Sequence, residues 1–82
     1  MSTSKEMIRS WLKNGLAVGA SHVMVVCDQF DWEDYPKFIM PGQDAYQEYY
    51  SVHGNNMQSV MEVYKLNMDW NAQLDEHRAL HF

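Results

Sequence analysis

The sequence predicts a single α+β domain over residues 1–82: an N-terminal helix, a two-stranded antiparallel sheet, then two or three further helices. Three observations point there. Met7, Ile8, Trp11, Leu12 and Leu16 recur at helical spacing, while residues 22–28, HVMVVCD, form an apolar, valine-rich run without alternation. From Asp44 onward aromatic and apolar residues return at i, i+3, i+4 and i+7.

The first helix opens at Thr3, whose spacing to Glu6 fits a capping box. Gly15 weakens it by about 1 kcal/mol relative to alanine, and Gly19 is the better stop. His22 to Asp28 then reads as a strand buried on both faces. Gln29 to Asp34 is a connection, and Tyr35 to Met40 a second strand that Pro36 confines to an edge or a strand start. Pro41-Gly42 is a turn. Asp44 caps a helix carrying Tyr46, Tyr49, Tyr50 and His53, ended by Gly54. Asn55 or Asn56 caps the next, with Met57, Val60, Met61 and Tyr64 on one face, although Val60 to Leu66 also reads as a third strand. Asn67 or Asp69 caps a last helix that sets Trp70, Leu74, His77 and His81 on one stripe.

Two strands alone are marginal in water, and an open edge beside an apolar strand invites pairing. Seven methionines and eleven aromatics exceed what so small a core needs. Both arguments lead to a homo-oligomer, most simply a twofold dimer with the sheet extended across it.

Composition narrows the function classes. The chain is too short for a doubly wound sheet or a barrel enzyme. Its net charge of −5 opposes direct nucleic-acid binding. The longest apolar run, Val23 to Cys27, is far too short to span a membrane, and Met1 to Glu6 hold no apolar leader. A lone Cys27 leaves no intramolecular disulfide and points to a reducing cytoplasm. There is no glycine-rich phosphate loop, no paired CxxC and no serine elbow, so neither a cofactor nor an enzyme is expected.

The acid is concentrated. Residues 1–27 sum to +2, residues 28–48 to −5 and residues 49–82 to −2. The stretch 28-DQFDWED-34 places four carboxylates in seven residues, with Phe30, Trp32 and Tyr35 interleaved. Three readings stand: a solvated loop, a cation site, or a docking surface for a basic protein. The spacing fits neither a helix–loop–helix calcium site nor an Asp-x-Asp phosphoryl-transfer pair. As a docking surface, Asp28, Phe30, Asp31, Trp32, Glu33, Asp34 and Tyr35 are the candidate partner-binding residues. The alternative is an oligomeric sponge for a nucleotide or other small signal, with pockets at subunit interfaces. Tyr46, Tyr49, Tyr50 or Trp70 would stack the base, and Arg9, Lys13 or Arg78 would meet phosphate. A third reading, a metal-dependent enzyme, would combine the Asp28 cluster with His77 or His81, which lie four apart. Cys27 is expected to be structural, because His22 on the same strand faces the other way.

The stretches 20-ASHVMVVCDQFDWEDYP-36, 56-NMQSVMEVYKL-66 and 74-LDEHRALHF-82 resemble a group of small uncharacterised phage, prophage and bacterial proteins. The likeness covers most of the chain and carries no activity or catalytic residue with it. It implies a protein at work in a host cytoplasm, of the kind that occupies a host defence or regulatory protein as an inhibitor.

Overall fold

The computed structural model describes residues 3–82, so Met1 and Ser2, part of the stretch read for a leader, lie outside it. Its centre is β1 (His22–Asp28), in which Val23 through Cys27 are all buried. A strand with no solvent face needs neighbours on both edges and cover on both sides. The chain supplies all four. β2 (Glu33–Ile39) and β3 (Gln58–Lys65) pair antiparallel with β1, in the order β2-β1-β3. On one face, α1 (Lys5–Ala17) and α3 (Trp70–Leu74) bury Ile8, Leu12 and Leu74 against Val23, Val25 and Tyr64. On the other, α2 (Ala45–Val52) buries Ala45 and Val52 against Met24, Val26, Val60 and Val63. The sheet is therefore the middle layer of three.

The third strand corrects the helix expected over Met57 to Tyr64. The cause is a bulge. Val26 pairs with Val60 and Val25 with Glu62, leaving Met61 as the extra residue. Val60 and Val63, three apart, therefore share a sheet face, as they would share a face of a helix. Of the residues read as one helical face, Val60 packs on the α2 side, Tyr64 on the α1 side, and Met61 is exposed at the bulge. The sheet thus finds within the chain the partner strand that was sought in a second copy.

Its outer edges are treated differently. The outer side of β3 is covered by the C-terminal segment. Val63 donates to the Ala79 carbonyl at 2.8 Å, and His81 donates back to the Val63 carbonyl at 2.9 Å. Arg78 donates from Nε to Met61 O at 2.8 Å and from Nη2 to Val60 O at 2.9 Å, satisfying carbonyls at the bulge. This use of residues 78–81 is why the expected long last helix stops at Leu74. Trp70 and Leu74 do reach the core, but His77 and His81 share no helical stripe with them. The outer side of β2 carries Pro36, whose missing N–H is tolerated at an edge.

Two further boundaries differ from expectation. Ser4, not Thr3, caps α1, its Oγ accepting from Met7 N at 3.2 Å. Thr3 instead donates to Asp34 Oδ2 at 2.6 Å, tying the start of the chain to β2. β2 begins at Glu33 rather than Tyr35, so two of the acids placed in the connection belong to a strand. Asp44 caps α2 as expected, accepting Tyr46 N–H, and of the two candidates Asn67 and Asp69 it is Asp69 that caps α3, accepting Asn71 and Ala72 N–H.

Candidate functional site

The acidic stretch folds into a tight hairpin tip. Asp28 holds it twice, accepting Phe30 N–H on Oδ1 at 2.9 Å and Trp32 N–H on its carbonyl at 2.6 Å. Trp32 sits at φ 58°, left-handed backbone that a bulky side chain adopts only under constraint. Phe30 is 77% exposed and Trp32 62%, the first of them the most exposed large apolar residue among those described. Asp31 and Glu33 are exposed beside them. Two rings and two carboxylates are therefore presented to solvent on a turn braced by a third carboxylate.

Not every candidate joins this surface. Tyr35 turns to the α2 side of the sheet, where it packs against the core and its hydroxyl accepts from Gln58 Nε2 at 2.6 Å. Asp34 is half-buried on the opposite side, facing Cys27 across the strand pair. The Cys27 thiol is pushed up, by burial first and then by the neighbouring Asp34 carboxylate, so it stays protonated and is a poor nucleophile.

Behind Trp32 the α1 side of the sheet is only partly covered. A half-open groove of about 700 Å³ runs between the first turn of α1, the hairpin tip and the segment after α3. Its floor is Val25, Cys27, Ser59 and Tyr64, with Ile8 and Leu74 at its margins. Asp34 from β2 and Glu62 from β3 line it from either side of β1. Glu62 accepts the Tyr64 hydroxyl at 2.7 Å on one oxygen and Ala79 N–H at 3.3 Å on the other. Burial, and then that hydrogen bond to Glu62, push the Tyr64 phenol up. The cations nearby are engaged elsewhere: Lys5 meets Asp75 at 3.0 Å, and Arg78 meets backbone carbonyls of β3.

Sequence reasoning missed the groove because its parts come from three strands and both ends of the chain. Of the lining residues that the sequence reading did not name, Glu62 left a signal, as a carboxylate inside an apolar run. His77 lines the groove, whereas His81 pairs with Glu76. Among the described residues no three of His, Cys, Asp and Glu are grouped to hold a metal ion.

Within one chain the residues expected to make a nucleotide sponge do not converge. Tyr46, Tyr49 and Tyr50 belong to α2 and cluster with Phe82 on one side of the sheet, with Tyr46 and Phe82 centroids 4.3 Å apart. Trp70 packs into the core of the other side and donates from Nε1 to Leu66 O at 3.0 Å. Arg9 donates to Asn71 Oδ1 at 2.7 Å, Lys13 is exposed on α1, and Arg78 lies along β3. A middle-layer sheet separates the three tyrosines from Arg9 and Lys13.

No family model matches the chain, and no curated protein or solved structure shows significant similarity to it. No helix among the described residues is long and apolar enough to cross a membrane.

Proposed function

We propose that this chain is a non-enzymatic binding protein that occupies a basic surface of another protein through its acidic, aromatic hairpin tip. One observation carries the reading: Phe30 and Trp32 stand exposed on a turn that Asp28 braces, with Asp31 and Glu33 alongside. Apolar rings exposed together and rimmed by polar residues mark a surface for a partner to cover, and aromatics are among the residues that dominate docking energetics. The surrounding carboxylates steer a basic partner and fix its register. The strained backbone at Trp32 fits the same role, since such conformations persist where position matters more than stability. The resemblance to small phage and prophage proteins supplies the setting: a host cytoplasm, and a host defence or regulatory protein as the surface occupied.

The test is capture from host lysate with the wild-type chain and two variants, Asp31→Lys/Glu33→Lys and Phe30→Ser/Trp32→Ser. A protein retained by the wild type, released by salt and lost from both variants supports the reading. Identical capture by all three chains rejects it.

A further inference from the structure

We propose that the groove behind Trp32 receives an arginine side chain of the partner protein. This inference rests on the hairpin being the docking surface. Three observations carry it.

The first is a pair of carboxylates that the groove's own cations leave unpaired, Lys5 being engaged with Asp75 and Arg78 with β3 carbonyls. Asp34 and Glu62 are both half-buried beside an apolar floor. Their hydrogen-bond donors are neutral: the Thr3 hydroxyl for Asp34, the Tyr64 hydroxyl and Ala79 N–H for Glu62. Among the described residues neither carboxylate belongs to an ion pair. Each oxygen has lone pairs to spare, and a cation entering the groove would meet carboxylates already partly stripped of water.

The second is the floor. Val25, Cys27 and Tyr64 offer apolar surface to an aliphatic stem, while the carboxylates flank it from β2 and β3. An amphipathic side chain with a cationic head matches that layout. The third is Trp32, which both lines the groove and stands on the docking hairpin. Its ring stacks a guanidinium better than an ammonium, and a carboxylate pairs a guanidinium in bidentate fashion. These two preferences select arginine over lysine.

The experiment is a titration of the isotope-labelled full chain, followed by amide chemical shifts. The probes are acetyl-Gly-Arg-Gly-amide, the neutral isostere acetyl-Gly-citrulline-Gly-amide, and spermidine. The arginine peptide is expected to give saturable shifts at Val25, Cys27 and Glu62, with the citrulline peptide about tenfold weaker. Two variants are expected to weaken arginine binding by about tenfold each. Glu62→Gln removes a charge, and Met61→Lys, at an exposed bulge position, supplies a competing internal cation. Equal binding of the two peptides overturns the proposal, as does the lack of any saturable shift or an unchanged affinity in Met61→Lys. Spermidine binding more tightly than the peptide overturns the choice of a protein side chain as occupant. The lysate capture separates the two readings. Loss of partner in Asp31→Lys/Glu33→Lys but full retention in Met61→Lys sinks the groove proposal and leaves the docking surface standing. Full retention in the hairpin variants sinks the docking surface itself.

Discussion

A β-carbon built on Gly15 would lie 2.7 Å from Val23 Cγ2. The glycine in α1 is therefore the point at which helix and central strand touch, and its lack of a side chain sets how closely they pack. Helix propensity alone favours alanine there by about 1 kcal/mol. Overpacking costs about 1–3 kcal/mol, so Gly15→Ala should lower stability on balance. Thermal unfolding would show a fall of several degrees, taking about 4–8 °C per kcal/mol for a domain of this size. In a double-mutant cycle with Val23→Ala the losses should be less than additive, because the second change removes the clashing methyl.

Gln73 is 1% exposed and clamps the end of β3. Its Oε1 accepts Lys65 N–H at 2.8 Å, and its Nε2 donates to Lys65 O at 2.9 Å and Asp69 O at 3.2 Å. Gln73→Leu leaves Lys65 N–H and the two carbonyls to find other partners, and should cost about 2–4 kcal/mol. Urea denaturation measures it. A loss below about 0.5 kcal/mol would mean that water replaces the amide there.

His22 is held below its ordinary value of 6.5, by burial first and then by Lys65, against a smaller opposing effect of the Phe82 backbone. Ser21 Oγ lies 2.8 Å from Nδ1, while Nε2 is buried without a partner among the described residues. The fold therefore favours neutral imidazole. As pH falls below about 6.5 the unfolded chain takes up the proton first, so stability declines with acidification until the folded His22 also protonates. Denaturation at pH 7.5 and 5.5 should show a smaller difference in His22→Gln than in the wild type. An identical difference would remove His22 from the acid response.

Cys27 should react slowly with thiol reagents at pH 8, because burial and Asp34 both keep it protonated. Asp34→Asn removes the charge but not the burial, so alkylation should accelerate modestly while staying slower than in the unfolded chain. Mass spectrometry over a time course reads both rates. Wild-type alkylation as fast as in the unfolded chain would show that the groove leaves the thiol open.

Trp32→Gly separates stability from binding. Glycine adopts the observed φ of 58° without strain, so the variant should gain up to about 1 kcal/mol in unfolding free energy. On the proposed reading it should also lose the captured partner, because that reading makes the ring an anchor. A variant that is more stable and still binds would show that Trp32 is not part of the docking surface.

Much of this architecture is written in short stretches of chain. Valines without alternation marked β1, and Asp44 and Asp69 marked the starts of α2 and α3, because strand burial and helix capping depend on neighbours a few residues away. The hairpin tip was legible for the same reason: its acids and rings are contiguous, and Asp28 braces the turn locally. Residues 57–66 were not, since a bulge at Met61 sets Val60 and Val63 at a spacing that helix and strand share. Only pairing with β1 decides between them. The groove is the furthest from local reading. Asp34 and Glu62 are 28 positions apart in the chain, and they meet the same space only because strand register places Cys27 opposite the first and Val25 opposite the second. Local chemistry determined most of the elements and the acidic hairpin tip; long-range pairing, which no window of sequence contains, decided the third strand and the groove it completes.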